Sequence, residues 1–371
     1  MAFLSVILWG KKTAYAITVD VSQVESGESD GVYRITKGST EALNFQIPSQ
    51  TTEIVGADGT VTYETAYPQI TKIKNAKSSI VKYENGMVTG VTEGSSTVKV
   101  TYKYIFSNYT VTETTSVIVR VVAYSRSGNT FIFDPSLLTN NDITYSLVEA
   151  SVQARELATD ADHYAIRIPG GNYTVSDVIH LYSNTTVEMA EDTVLTMTAP
   201  TGYNMFLLGT TGEYKGEDNY NESEQCAGYN GFHNITIRGG KLVGNSSSRS
   251  CLIRMAHATN VTLDSVTFSG GAGAHQVEVA AIDGFTVKNC VFSDFYGIKG
   301  ITGNYEALQL DIPCAASPYM GAYEDGTTLR NVEITGNTFQ NLSKGLGSHT
   351  MLVGAYHTNI KINNNTLLIL M

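Results

Sequence analysis

The chain has 371 residues, with 35 Asp and Glu against 24 Lys and Arg, so its formal net charge is 24 − 35 = −11. This charge argues against a nucleic-acid-binding protein, because phosphate backbones are bound by clustered positive charge. Only 16% of the residues are charged and 34 are glycine, which is typical of a strand- and turn-rich protein. No apolar run reaches the roughly 18 residues that a transmembrane helix needs, and about 150 residues per domain predicts two or three domains.

The two ends of the chain differ from the rest. Residues 1–16 begin with an apolar run to Trp9 and end in Ala14-Tyr15-Ala16, which has the A-x-A form of a secretory cleavage site. The basic segment that normally precedes such a run is missing, so we interpret residues 1–16 as a signal-peptide remnant, with a short buried strand as the alternative. Residues 363–371 stop inside a repeating unit, which predicts that further C-terminal coils are missing.

Residues 17–123 alternate apolar and polar positions between closely spaced turns, as a β-sandwich does. Asn85-Gly86 suits a primed hairpin turn, and Gly94 suits a tight turn between two strands. The segment from Gly86 to Val100 resembles the bacterial Ig-like domains of group 2, whose hallmark is G-x-V-x-G-V-x-x-G-x-[ST]-x-V-x-V. Residues 17–78 diverge from that family. The resemblance implies a spacer or surface-binding module, and nothing in it points to catalysis.

One strong helical pattern lies between residues 140 and 158, behind a candidate N-cap at Asp142. Its apolar positions are Ile143, Leu147, Ala150, Ala154, Leu157 and Ala158. The motifs I-x-[IV]-P-x-G-x-Y at residues 166–173 and L-x-S-N-T-T at residues 181–186 follow the helix. This order resembles the start of a right-handed parallel β-helix of the pectin-lyase-like superfamily.

Internal repeats predict a solenoid independently of that resemblance. Five similar segments begin at spacings of 26, 24, 47 and 28 residues, at His233, Thr259, Asp283, Arg330 and Thr358. We interpret the 47-residue spacing as two coils, and the N-x-T triplets in these segments as parts of repeat strands and not as glycosylation sites. A coil of about 25 residues cannot bury its own apolar face, so coils stack roughly 4.8 Å apart.

Two internal stacks of apolar side chains follow from this alignment. The first contains Ile237, Leu263, Val287, Ile334 and Ile362. The second contains Leu242, Phe268, Phe292, Phe339 and Leu367. Asn337 and Asn365 align with Cys290, and we expect their amides to hydrogen-bond along the stack from a turn.

The predicted fold is therefore all-β: an Ig-like β-sandwich at 17–123, then a right-handed parallel β-helix (solenoid) at 124–371, capped at its N-terminal end by the helix of residues 143–158. The four cysteines show no metal-type C-x-x-C pair. Cys290 occupies an inward position, which predicts a buried free thiol, while a disulfide between Cys226 and Cys251 stays open for an exported chain. No metal and no cofactor is implied.

A second strand precedes each aligned segment, at residues 252–256, 276–280, 307–311 and 351–355. In one shared register Arg254, Glu278 and Gln309 form an outward ladder, with Asp311 beside it. Enzymes of the resembled superfamily bind and cleave polysaccharides on such a polar face. The backbones of Glu278 and Asp311 would lie roughly 8 Å apart, nearer the inverting than the retaining arrangement of glycosidases. The alternative for Arg254 and Glu278 is an exposed ion pair worth under about 1 kcal/mol.

Equivalent strand entrances carry His275, Glu306 and His349, so acid/base groups are expected to cluster near the ladder. A buried structural pair of His275 and Glu306 is the alternative. Asp325 either overhangs this face or is a plain turn residue, and Tyr305 either stacks on a sugar ring or packs. The candidate catalytic residues are Asp311, Glu278, Glu306 and His275. The candidate substrate-binding residues are Arg254, Gln309, His349, Asp325 and Tyr305.

The segments 274–278, 305–312 and 346–350 also resemble secreted β-helix proteins of gut-type bacteria assigned to carbohydrate processing. The polygalacturonase motifs are missing, as is the acidic calcium cluster of pectate lyases around Arg254, so neither activity transfers. The favoured hypothesis is a glycoside hydrolase with Glu278 and Asp311 as acid and base. A non-catalytic adhesin or glycan-binding protein is the alternative, and a polysaccharide lyase the second alternative. Each of these three hypotheses implies a glycan partner and a secreted or cell-surface location, and each is compatible with cell-wall association. The negative net charge favours a neutral glycan.

Overall fold

The computed structural model describes residues 18–20, 32–56, 58–199, 204–208, 226–245, 251–271, 275–296, 305–314, 323–348 and 352–368. The candidate signal-peptide remnant, residues 1–16, and His349 lie outside these residues. The chain divides into two compact units, Met1–Val121 and Val122–Met371. Both are built almost entirely of β-strands, which confirms the predicted all-β class.

The first unit consists of antiparallel hairpins and short sheets. Its strands are β1 Thr18–Asp20, β2 Val32–Thr36, β3 Thr40–Ala42, β4 Asn44–Gln46, β5 Gln50–Val55, β6 Val61–Ala66, β7 Gln69–Asn75, β8 Val81–Glu84, β9 Met87–Gly90, β10 Gly94–Ile105 and β11 Thr110–Val122. The order β2-β11-β10-β7 forms one sheet and β3-β9-β8 another. Valines of both sheets share one buried cluster, so the two sheets pack face to face.

The hairpin between β8 and β9 turns at Asn85 and Gly86. Their φ angles are 51° and 80°, and a type I′ turn requires positive φ at both central residues. The primed turn predicted from the sequence is therefore confirmed.

The second unit is a parallel solenoid. Its strands are β12 Tyr124–Ser127, β13 Thr130–Phe133, β14 Tyr164–Ile168, β15 Gly171–Val175, β16 Ile179–Leu181, β17 Thr185–Met189, β18 Thr193–Met197, β19 Phe206–Leu208, β20 Phe232–Arg238, β21 Lys241–Gly244, β22 Ile253–Asp264, β23 Thr267–Gly270, β24 Val277–Lys288, β25 Val291–Phe295, β26 Glu306–Asp311, β27 Arg330–Thr335, β28 Thr338–Leu342, β29 Lys344–Gly347, β30 Thr358–Asn363 and β31 Thr366–Leu368. One sheet runs β12-β13-β14-β17-β20-β22-β24-β26-β29, with β16, β19, β27 and β30 joined at its sides, and the other runs β15-β18-β21-β23-β25-β28-β31. Successive coils add parallel strands to both sheets, as a β-helix does.

Both predicted apolar stacks are present in register, since each member pairs with the next across neighbouring coils, but their last members, Ile362 and Leu367, are exposed and not internal. The aliphatic stack passes from Ile237 through Leu263 and Val287 to Ile334 and Ile362. In the second stack the rings of Phe268, Phe292 and Phe339 lie parallel, with successive centroids 4.8 Å apart. That distance equals the roughly 4.8 Å spacing of neighbouring strands, so the rings stack in step with the backbone.

The 47-residue spacing is one coil, not two. Val287 pairs directly with Ile334, and Phe292 pairs directly with Phe339. The additional residues lie on either side of β26, between β25 and β27. Because β24 is long, its first half pairs with β26 and its second half with β27. Spacing alone cannot distinguish a long insertion from an extra coil.

The fourth strand of the ladder face is also displaced from its predicted place. Leu308 pairs with Leu346 on β29, while residues 352–355 form a turn in which Val353 is fully exposed. A Cβ on Gly347 would lie 2.5 Å from Cγ of the buried Glu306, so any larger residue at this rung requires the Glu306 side chain to move. Glycine weakens strand patterns in a sequence, and this explains why β29 was not predicted.

The second position of the repeated segments bends the backbone into the left-handed region. Asn234, Asn260, Asn331 and Asn359 have φ of 56°, 54°, 54° and 52°, and the equivalent Gly284 has 81°. Asparagine and glycine are the residues that adopt this conformation most readily. The amide of Asn260 donates to Asn234, and that of Asn359 donates to Asn331, so the column is also a hydrogen-bonded ladder.

Helix α1, Thr144–Leu157, packs against β14, β16 and β17, and a short 3₁₀ helix, Pro135–Leu137, precedes it. Leu147, Ala150 and Ala154 on one face of α1 are buried in the solenoid core, as their spacing predicts. The predicted N-cap is wrong by one residue, because Ile143 holds that position. Asp142 still accepts the amide hydrogen of Thr144 at 2.9 Å, with its other oxygen bound to a neighbouring serine hydroxyl. Among the described helices, none has the length and hydropathy to cross a membrane.

Charged side chains of alternating sign follow one row of the long sheet. In register order the row is Arg167, Glu188, Arg238, Asp264 and Lys288. Glu188 binds both flanking arginines, and Nζ of Lys288 lies 3.2 Å from Oδ2 of Asp264. We call this row the charge ladder.

Candidate functional site

The polar ladder has the register that the sequence predicts. Arg254 of β22 pairs with Glu278 of β24, and Glu278 pairs with Gln309 of β26. Asp311 pairs with Ala280, so it lies one strand across and two residues along from Glu278. The alternating positions belong to the core, and the ladder side chains therefore point away from it. These core positions are Ile253, Met255, Val277, Val279, Leu308 and Leu310.

Arg254 and Glu278 form a buried ion pair. Nε of Arg254 lies 2.8 Å from Oε2 of Glu278, and Nη2 donates to Oε1 at 3.4 Å. The two side chains are only 11% and 9% exposed, so the alternative of an exposed pair is wrong. Removing one partner from a buried pair leaves an uncompensated charge, which costs about 3–5 kcal/mol. The pair is therefore a strong constraint on this rung.

Asp311 and Gln309 hold one another on β26. Nε2 of Gln309 donates to Oδ1 of Asp311 at 2.6 Å, and both residues are buried. Asp311 is thus a second acid at the ladder, engaged by a neighbour on its own strand.

Cys251 is part of this cluster, although it is not among the site residues predicted from the sequence. Its thiol donates to Oε2 of Glu278 at 3.4 Å, and its backbone amide donates to the side chain of Asn204. Burial raises the pKa of Cys251 well above its usual value, and the charges of Glu278 and then Asp311 add to the increase. Cys251 lies two residues before Ile253 and has the same inward parity in the sequence, so the ladder register alone would assign it to the core.

His275 and Glu306 lie side by side at the strand entrance, as predicted. Nδ1 of His275 donates to the backbone carbonyl of Glu306 at 2.8 Å and lies 3.9 Å from Oε2 of its carboxylate. Both residues are buried, so the contacts are those of the buried structural pair. Lys344 pairs with Glu306 on the next rung, and its Nζ lies 3.5 Å from Oε1. Lys344 therefore occupies the rung that the sequence analysis gave to His349.

Asp325 does not contact the ladder among the described residues. Its Oδ2 accepts the amide hydrogen of Gly228 at 2.6 Å, and its Oδ1 accepts that of Thr327 at 2.9 Å. Burial raises its pKa, but these hydrogen bonds and the nearby His257 outweigh burial and hold the pKa below the usual value. Asp325 therefore joins two loops. Tyr305 is partly buried and packs against the core, which is the alternative stated for it.

The cluster consequently gathers two carboxylates, a guanidinium and a thiol from three neighbouring coils. Glu278 and Asp311 are 7% and 3% exposed, so both acids are covered as well as engaged. No group of three or more His, Cys, Asp or Glu side chains within the described residues is arranged to hold a metal ion. All four cysteines are buried thiols, including Cys290, and no disulfide joins Cys226 to Cys251.

No protein-family model matches this chain, and no curated protein matches it. Among solved structures, it is similar to two structures of PfbA, a surface adhesin of Streptococcus pneumoniae. The first has 19% sequence identity and a TM-score of 0.48, and the match covers 60% of this chain and 53% of that chain. The second has 18% sequence identity and a TM-score of 0.49, and the match covers 60% of this chain and 57% of that chain. It is also similar to a protein of Parabacteroides merdae named as a glycosyl hydrolase, at 16% identity and a TM-score of 0.25, covering 54% of this chain and 92% of that chain. The chain thus spans just over half the length of the adhesin structures, and its fold is established by the strand registers given above.

Proposed function

We propose that this protein is a secreted or cell-surface protein that binds glycans without cleaving them. In this proposal the antiparallel unit is a group 2 Ig-like spacer, and the solenoid is a pectin-lyase-like β-helix that carries the binding surface. The observation that supports the absence of cleavage is the state of Glu278. Its carboxylate is held by Arg254 and by the thiol of Cys251, and it is almost fully covered.

A general acid or base must come within hydrogen-bonding distance of the proton that it transfers. Glu278 meets this condition only if its ion pair opens, and opening the pair leaves Arg254 buried without its counter-charge. Asp311 is covered to the same degree and holds the Gln309 amide. These contacts are those of a structural cluster that fixes the register of β22, β24 and β26.

A glycan ligand is supported by the surface chemistry of the solenoid. Tyr356 is 75% exposed, and an exposed aromatic ring with a polar edge is suited to a recognition surface. The net charge of −11 disfavours anionic polymers, so a neutral glycan fits better.

A glycoside hydrolase is the second candidate function, and one observation favours it. Glu278 and Asp311 lie on the neighbouring strands β24 and β26 of the same face. Asp311 is offset from Glu278 by one strand and two residues, which places their backbones roughly 8 Å apart. In this function a rearrangement that uncovers both acids precedes catalysis.

The two functions are separated by measuring binding and turnover on one panel of neutral and acidic oligosaccharides. The full chain is compared with Asp311→Asn and Glu278→Gln, with circular dichroism to verify folding. Binding without turnover is the result expected here. Turnover that disappears in folded Asp311→Asn establishes the hydrolase, and neither binding nor turnover on any glycan overturns the proposed function.

A further inference from the structure

A shallow groove of about 520 Å³ lies on the solenoid, and no residue of the acid cluster lines it. It is formed by the loops that precede β20, β27 and β30, so three turns meet along one side of the stack. Tyr229 and Tyr356 contribute the aromatic surface, and Thr327, Thr328 and Thr358 contribute hydroxyl groups. The volume falls within the roughly 300–1,000 Å³ of small-ligand sites.

The loops that form this groove are joined by hydrogen bonds. The hydroxyl of Tyr229 donates to the carbonyl of Thr328 at 2.9 Å, and the amide of Gly228 donates to Asp325 at 2.6 Å. The guanidinium of Arg330 lies 4.2 Å from the centroid of the Tyr229 ring. The Tyr229 ring is therefore held by the hydrogen bond of its hydroxyl and by the Arg330 guanidinium on its face. A fixed ring loses little conformational entropy on binding.

The side chain of His257 also contacts both the loop that carries Gly228 and the loop that carries Tyr323. Its Nδ1 lies 2.9 Å from the carbonyl oxygen of Gly228, and its Nε2 lies 2.7 Å from that of Tyr323. His257 is buried, and its two ring nitrogens contact the loops that carry Gly228 and Tyr323. The groove is therefore preformed in the free protein.

The chemistry of the lining narrows the class of ligand. The described side chains that line the groove are all uncharged, in a protein whose net charge is −11. Glycine turns bring backbone near the surface at Gly228, Gly326 and Gly354, with φ of 62°, 74° and 86°. An apolar ring face beside hydroxyl and backbone groups matches a sugar, which has an apolar face of C–H groups and a rim of hydroxyls.

We propose that the groove between Tyr229 and Tyr356 binds a neutral oligosaccharide, with the exposed ring of Tyr356 stacking on one sugar unit. This inference rests on the proposed function and assigns it a place on the molecule. The preformed loops hold Tyr229, while Tyr356 provides the accessible surface. The covered acid cluster takes no part in this binding.

The test screens the full chain against an array of neutral and anionic oligosaccharides. The neutral oligosaccharide that binds most tightly is then titrated into the protein by isothermal titration calorimetry. Tyr356→Ala removes the exposed ring, and Tyr356→Phe keeps it. Tyr296→Ala is the matched control, because Tyr296 is also an exposed tyrosine of the solenoid and does not line the groove. We expect Tyr356→Ala to weaken binding about tenfold or more, while Tyr356→Phe and Tyr296→Ala stay within about threefold.

The outcomes separate the groove from the general function. If the protein binds glycans and Tyr356→Ala binds as tightly as the unchanged protein, the groove assignment is overturned and the proposed function stands. Binding only to anionic oligosaccharides also overturns the groove assignment. If the unchanged protein binds no oligosaccharide at all, the proposed function fails and the groove assignment fails with it.

Discussion

Nε of Arg254 lies 2.8 Å from Oε2 of Glu278 on the next coil, and both side chains are buried. Each coil of a solenoid touches only its neighbours, so contacts between adjacent coils set their alignment. A buried ion pair is weak as a source of stability, but it tolerates no shift of one partner relative to the other. The Arg254–Glu278 pair thus fixes β22 against β24.

The first prediction concerns this pair. Arg254→Leu should lower the free energy of unfolding by about 3–5 kcal/mol, because it leaves Glu278 buried without its counter-charge. The double variant Arg254→Leu/Glu278→Leu should recover most of that loss, since neither charge then remains. Urea unfolding followed by circular dichroism measures both variants. A double variant less stable than Arg254→Leu would contradict the prediction.

The second prediction concerns the buried Asn337. Its Oδ1 accepts the amide hydrogen of Cys290 at 2.8 Å, and its Nδ2 donates to the carbonyl of Val287 at 2.9 Å. Asn337→Leu leaves both backbone groups unsatisfied, so we expect a loss of roughly 2–4 kcal/mol in urea unfolding. The exposed Asn359 is the control, because Asn359→Gly keeps a residue that adopts positive φ. Equal losses in the two variants would show that burial at Asn337 does not matter.

The third prediction is a pH dependence of stability. Burial lowers the pKa of His180 to about 4 from its ordinary 6.5. Between these values the unfolded chain binds a proton that the folded chain does not, so stability is lost as pH falls from about 6.5 to 4, by up to roughly 3 kcal/mol. Urea unfolding at pH 7 and 4.5 measures the change. His180→Gln should reduce it, while the exposed His163→Gln should leave it intact. An NMR titration of His180 near 6.5 would contradict the prediction.

The fourth prediction concerns the thiols. Burial raises the pKa of Cys290 to about 12, so at pH 8 only about one molecule in ten thousand carries the reactive thiolate. N-ethylmaleimide should therefore label the folded protein slowly and all four cysteines rapidly in urea, as mass spectrometry can count. Two thiols that stay unlabelled in urea until a reductant is added would instead indicate a disulfide.

The solenoid was predictable because its signal is periodic. Aliphatic and phenylalanine residues recur at one phase of each coil, and the same alignment gave both stacks and the ladder register. The errors fall where the period is interrupted. Additional residues between β25 and β27 look like an extra coil in the sequence. Strand β29 contains two glycines, and an added Cβ would lie 3.2 Å from Phe339 at Gly345 and 2.5 Å from Glu306 at Gly347.

The candidate site was less predictable than the fold. The sequence places Arg254, Glu278 and Asp311 on one face, but whether a face is covered depends on contacts between distant segments. Cys251 was missed because a thiol beside an apolar strand looks like part of a core. The column of asparagines is a similar case. The recurrence of asparagine is visible in the sequence, but the positive φ that favours asparagine at these positions is visible only in the structure.

The charge ladder from Arg167 to Lys288 limits how such a solenoid can grow. Its signs alternate with every coil, so the pattern repeats after two coils. Duplicating one coil would set two like charges side by side, which destabilises the pairing of neighbouring strands. Duplicating two coils together preserves the alternation. This row of side chains therefore favours changes in length by pairs of coils.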